Sequence, residues 1–115
     1  MADLTVYEKP TCTTCRNLAA LLTERGIDFD RVNYHVEPLP EEKIRELVGK
    51  TGDPARELLR AKEVRALGLD LDEAPDDEVI AAMVEHPQLM ERPVVERGDH
   101  AVLARPIERV EVLLD

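Results

Sequence analysis

The sequence predicts an α/β fold in the order βαβ, a helical middle, then ββα, with a mixed four-stranded sheet. Three observations carry this. An alternating apolar stretch, a helical repeat and a second extended stretch follow one another from Leu4 to Val36. Helical spacing and helix punctuation fill the region from Glu41 to His86. Two short apolar runs then flank Gly98-Asp99. Strand–helix–strand implies a parallel pair with a right-handed crossover, and the later pair of runs reads as a β-hairpin.

Leu4-Thr5-Val6-Tyr7 alternates like a half-buried strand, and Lys9-Pro10-Thr11 breaks it. A helix is expected over 13–25, with Leu18, Leu21 and Leu22 on one face and Gly26 as its stop. Ile27 to Val36 reads as the second strand. Pro38 and Pro40 punctuate, and Glu41–Lys50 follows as a helix with Ile44, Leu47 and Val48 inward. Shorter helices are expected over Pro54–Arg60 and Glu63–Leu67. Pro75-Asp76-Asp77-Glu78 starts another, with acids suited to the first turn; it runs to His86 and Pro87 ends it. Val94–Arg97 and Ala101–Ala104 form the hairpin strands. Pro106, at the first helical position, opens a last helix with Ile107, Val110, Leu113 and Leu114 buried.

At 115 residues the chain has the size of one domain, spanning 1–115 with a helical stretch at about 40–91. Its 43% hydrophobic content is too high for disorder. The net charge of −10 excludes a global basic footprint for nucleic acid and argues against an anionic membrane as partner. No apolar run approaches transmembrane length, and Met1-Ala2-Asp3 does not start a signal pattern, so a cytoplasmic location is expected. The acidity is local: residues 63–91 carry nine acids and one base, Arg65, while the rest of the chain is nearly neutral. That segment reads as a solvated face, or as a docking surface for a basic partner.

The chemistry is concentrated at Cys12-Thr13-Thr14-Cys15. A C-x-x-C pair between the first strand and first helix is a signal for thiol redox work. Unpaired N–H groups and the positive helix end favour a thiolate there, as would Arg16. Cys12 comes first and is the expected nucleophile; Cys15, one turn in, can resolve a Cys12 adduct by forming a disulfide. Half a zinc site is a competing reading, but there is no second C-x-x-C, and His35, His86 and His100 lack ligand spacing, so no metal is expected. A structural disulfide would close too short a loop to stabilise much.

The stretch Thr5-Val-Tyr-Glu-Lys-Pro-Thr-Cys12-Thr-Thr-Cys-Arg16-Asn17 resembles the start of the glutaredoxin-dependent arsenate reductase (ArsC) family. Arg56-Glu-Leu-Leu-Arg60, His86-Pro87, Glu91-Arg92-Pro93-Val94-Val95 and Ala104-Arg105-Pro106 are similar to later family segments, in order. The resemblance implies a thioredoxin-like fold in which the Arg92–Pro93 peptide is cis and faces the nucleophile. It implies Cys12 as the catalytic cysteine, with Arg60, Arg92 and Arg105 around the oxyanion. Guanidinium forks suit a tetrahedral anion because they stay charged and bind bidentately, and the helix N-terminus adds N–H donors. The implied reaction is attack of the Cys12 thiolate on arsenate, reduction by glutathione or another thiol as co-substrate with no bound cofactor, and clearance by a glutaredoxin-type partner. A monomer suffices for this.

Two positions depart from the family pattern. Glu8 puts an acid four residues from the nucleophile, which would raise the Cys12 pKa if close. Cys15 opens an intramolecular disulfide route and makes thioredoxin as reasonable a donor as glutaredoxin. The sequence is also similar to Spx-type regulators, which carry a C-x-x-C switch and bind RNA polymerase; the three arginines favour the reductase. A general thiol–disulfide oxidoreductase is the third alternative.

Overall fold

Burial on both faces of Leu4–Glu8 makes β1 an interior strand: Leu4 and Val6 face one side of the sheet and Tyr7 the other. The computed structural model describes residues 2–114. After β1 come α1 (Thr13–Glu24), β2 (Asp30–Asn33), α2 (Glu41–Thr51), a 3₁₀ turn (Ala55–Leu58), α3 (Ala61–Ala66) and α4 (Asp76–Glu85). A second 3₁₀ turn (Pro87–Leu89), β3 (Val94–Arg97), β4 (His100–Leu103) and a 3₁₀ helix (Ile107–Leu113) complete the order.

The sheet order is β2-β1-β3-β4. β1 and β2 run parallel, with Thr5 opposite Asp30; β1–β3 and β3–β4 are antiparallel, with Val6 opposite Val95 and Val95 opposite Val102. This mixed four-stranded α/β architecture is thioredoxin-like.

Each face of the sheet buries its own apolar cluster. Leu4, Val6, Val95 and Val102 pack against Leu18 and Leu22 of α1 and Val110 and Leu113 of the last helix. On the other face Tyr7, Val94 and Ala101 meet α2, α4 and the 3₁₀ turns through Ile44, Leu47, Leu58, Val79, Ile80, Met83 and Leu89. Alternation along the central strands thus divides their apolar residues between two hydrophobic layers.

Helix α1 stops where expected, because Gly26 takes φ +69 and lets Ile27 N–H return to the Leu22 carbonyl at 3.0 Å. Gly98, φ +57, makes the two-residue hairpin turn with Asp99.

Several elements differ from expectation. β2 covers only Asp30–Asn33, not Ile27–Val36, because the Asn33 side chain accepts the His35 N–H at 3.1 Å and its carbonyl accepts those of Val36 and Glu37. That local turn competes with the ladder. The last helix is 3₁₀ rather than α, and Pro106 sits just before it with extended backbone. Its apolar residues Ile107, Val110 and Leu113 recur every three positions, the period at which 3₁₀ side chains line up. Ala55–Leu58 is likewise a 3₁₀ turn, and β4 begins at His100.

Candidate active site

Cys12 is the N-cap of α1, held there by its N–H donating to the Lys9 carbonyl at 2.9 Å while its own carbonyl takes the Arg16 N–H at 3.0 Å. Its sulfur is half-buried, and Cys15, one turn on, is fully buried; both are free thiols.

The environment drives the two thiols apart. Burial pushes the Cys12 pKa up, but the Cys15 N–H, the Cys15 thiol and the Arg105 and Arg92 guanidiniums outweigh it and bring it down to about 7. Burial pushes Cys15 up to about 12, and the negative charges of Cys12 and Glu8 add to that. Only the outer sulfur is therefore a thiolate near neutral pH.

Glu8 acts on the inner thiol and is itself tied to the neighbouring strand. It is buried, its Oε2 accepts from Arg31 Nε at 3.0 Å and Nη2 at 2.9 Å, and its charge raises Cys15 while Cys12 is lowered.

The arginines are brought in by main-chain contacts between two loops. Arg60 N–H donates to the Leu89 carbonyl at 2.7 Å and Glu91 N–H to the Leu58 carbonyl at 2.6 Å, with Leu59 and Met90 forming a bridge. This lays the segment before α3 beside the segment before β3. The Arg92–Pro93 peptide is cis, and so is Arg105–Pro106. Ala104 N–H donates to the Pro93 carbonyl at 2.9 Å, which extends the β3–β4 pairing and sets Arg105 beside Arg92. Arg105 Nη1 then donates to the Arg92 carbonyl at 2.8 Å.

Arg92 is buried, and Tyr34 and Cys12 hold its guanidinium charged against the cost of burial. Its Nε, like that of Arg60, is buried without a hydrogen-bond partner. Arg60 Nη1 pairs with Glu91 Oε1 at 2.7 Å, and the same oxygen lies 3.7 Å from Arg105 Nη1. Arg60, Arg92 and Arg105 therefore gather in one place. Arg16 stands exposed on α1, and the guanidiniums that lower Cys12 most are those of Arg105 and Arg92.

Three residues beyond the predicted set belong to this neighbourhood. Glu91 links Arg60 to Arg105 and also accepts the Arg92 N–H at 3.3 Å. Tyr34 donates to the Met90 carbonyl at 2.6 Å and lies against Arg92. His35 tilts over the Tyr34 ring, centroids 4.6 Å apart, and burial with the charges of Arg92 and Lys9 lowers its pKa. Glu91 had a sequence signal, an acid next to a site arginine; Tyr34 and His35 had none, since they reach Arg92 only through the fold.

Among the described residues no group of three or more His, Cys, Asp or Glu is placed to hold a metal ion, and no helix is long and apolar enough to cross a membrane. The arrangement suits a nucleophilic thiolate facing an anion held by guanidiniums.

A sequence model of the ArsC family matches residues 7–113. The chain is 32% identical to an arsenate reductase of Neisseria meningitidis over 117 residues, covering 99% of this chain and 100% of that protein. It is 36% identical to the global transcriptional regulator Spx of Enterococcus faecalis over 94 residues, 80% of this chain and 71% of that one. The structure superposes on an arsenate reductase from Vibrio cholerae with a TM-score of 0.84 at 32% identity, covering 96% of this chain and 97% of the other.

Proposed function

The chain belongs to the ArsC family, and from that premise we propose that it is a thiol-dependent reductase of arsenate or a similar tetrahedral oxyanion. The observation that carries this reading is the Cys12 thiol, lowered to about 7 at the start of α1 with Arg92 and Arg105 beside it. One set of cations would both bind the anion and activate the nucleophile.

In this reading the oxyanion sits between Cys12 and the guanidiniums of Arg60, Arg92 and Arg105. The Cys12 thiolate attacks arsenic(V); an S–As bond forms and an oxygen leaves as water or hydroxide. A second thiol then attacks the Cys12 sulfur, its electron pair forms a disulfide, and the S–As pair departs with arsenic as arsenite. The two electrons come from the two sulfurs. The second thiol is glutathione, with a glutaredoxin or thioredoxin clearing the disulfide, or Cys15 once its proton is taken.

The decisive experiment is arsenate reduction with glutathione and glutaredoxin, and with thioredoxin, by wild type, Cys12→Ser and Cys15→Ser. Turnover lost in Cys12→Ser supports the reading; no wild-type turnover with either donor overturns it.

A second reading follows from the buried Cys15 behind Cys12 and the similarity to Spx. Here the pair is a switch that changes a protein surface when oxidised, with RNA polymerase as partner. Polymerase capture that depends on oxidation would favour it.

A further inference from the structure

We propose that Glu91 is a resident carboxylate that occupies the arginine cradle at rest, so that an incoming tetrahedral oxyanion must displace it from Arg60 and Arg105. This rests on the oxyanion-site reading and adds the residue that sets its affinity and selectivity.

Three contacts converge on one oxygen. Glu91 Oε1 accepts from Arg60 Nη1 at 2.7 Å, lies 3.7 Å from Arg105 Nη1 and accepts the Arg92 N–H at 3.3 Å. One carboxylate oxygen thus takes a guanidinium hydrogen bond from Arg60, lies within ion-pair reach of Arg105 and accepts the main-chain N–H of Arg92. The Glu91 side chain is 17% exposed and that of Arg60 22%, so the pair is largely out of water, where a charged contact counts for more.

The backbone on either side is fixed independently of this contact. Arg60 N–H and Glu91 N–H are both tied to carbonyls of the facing loop. The carboxylate can therefore leave by side-chain rotation alone while the cradle keeps its shape. Arg60 and Arg92 each retain a buried Nε without a partner, so the cradle holds donors that Glu91 does not use. A tetrahedral anion brings more oxygens than the carboxylate offers and can meet the guanidiniums in pairs. A small monatomic anion cannot.

Glu91 accordingly acts as a filter. Chloride would give up the strong Glu91 contact for a weaker one and is rejected; a tetrahedral dianion recovers the lost contact and more. Glu91 is a positioning residue in this scheme and touches none of the reacting atoms.

The test uses the full chain, with sulfate as a tetrahedral dianion that thiols do not reduce. Binding is read by calorimetry and by protection of Cys12 from iodoacetamide. Glu91→Gln should bind sulfate about 10- to 100-fold more tightly than wild type, the range of one charged hydrogen bond, and should begin to admit chloride. A merely structural role would weaken binding or leave it alone. Unchanged or weaker sulfate affinity in Glu91→Gln, or no sulfate binding by either protein, overturns the proposal. Should Glu91→Gln fail to fold, Glu91→Asp draws the carboxylate back by one methylene. It should show a smaller tightening, and none at all overturns the proposal. Arsenate turnover by wild type is scored separately. Turnover without a change in sulfate affinity defeats only the Glu91 proposal, and tighter sulfate binding without wild-type turnover defeats only the reductase reading.

Discussion

Cys15 lies fully buried behind half-buried Cys12, and beyond the effect of burial each thiol shifts the other's ionisation. The Cys15 N–H and thiol lower Cys12, while the negative charge of Cys12 raises Cys15. Two cysteines three positions apart on one helix turn thus become an unequal pair, one a nucleophile and the other a protonated reserve.

The first prediction concerns Cys12 itself. Its alkylation by iodoacetamide should rise with pH through a midpoint near 7, since the reactive thiolate is the form left when the proton is lost. A free thiol would show ~8.5. The measurement is the rate constant against pH, with Cys15→Ser used to confirm which sulfur reacts. A midpoint near 8.5 would remove the activation argument.

Arg92→Gln should move that midpoint upward, because it deletes one of the two guanidiniums that favour the thiolate. At neutral pH the alkylation rate should fall several-fold and oxyanion binding should fall further, as the cradle also loses a cation. Arg105→Gln should do the same and should also free the Arg92 carbonyl from its 2.8 Å contact. Arg16→Gln, at an exposed position on α1, should move the midpoint less than either of these.

Much of this was legible before any coordinates. Gly26 and Gly98 announced the end of α1 and the hairpin because both positions need a positive φ. The spacing of Cys12 and Cys15, with a strand before and a helix after, placed the thiols. The convergence of Arg60, Arg92 and Arg105 rested on family resemblance alone, since their approach depends on pairing between loops distant in sequence, Arg60 with Leu89 and Ala104 with Pro93. Arg16 is near Cys12 in sequence and exposed on α1; nearness along a helix does not by itself fix which way a long side chain leaves the surface. The pairing of Glu8 with Arg31 had no sequence signal, because Arg31 stands on the neighbouring strand.

Tyr34→Phe should cost about 1–2 kcal/mol of stability, as it leaves the buried Met90 carbonyl without the donor now 2.6 Å away. The same change removes a group that helps fix Arg92, so sulfate affinity should fall alongside. Denaturant unfolding and sulfate titration of the one variant measure both effects. Loss of stability with sulfate affinity unchanged would place Tyr34 in the core alone.

The last prediction concerns the polar centre of the opposite sheet face. Glu96, buried on β3, accepts from Tyr7 Oη at 2.7 Å and from Lys43 Nζ at 2.9 Å, and also pairs with Lys50. Burial raises its pKa, but Lys50, Tyr7 and Lys43 together outweigh this and bring it down to about 2. A carboxylate held below its unfolded value, ~4.3, adds stability that is complete above that value and is lost as pH falls toward 2. Wild type should therefore lose stability steeply between about pH 4.5 and 2. Glu96→Gln should be less stable at pH 7 by about 2–3 kcal/mol, because two lysines lose a counter-ion at the sheet surface. It should also show a shallower acid slope, so the two unfolding curves approach one another near pH 2. Parallel curves across that range would mean that Glu96 titrates like an ordinary surface acid, and that α2 is held to the sheet by its apolar face of Ile44, Leu47 and Val48 alone.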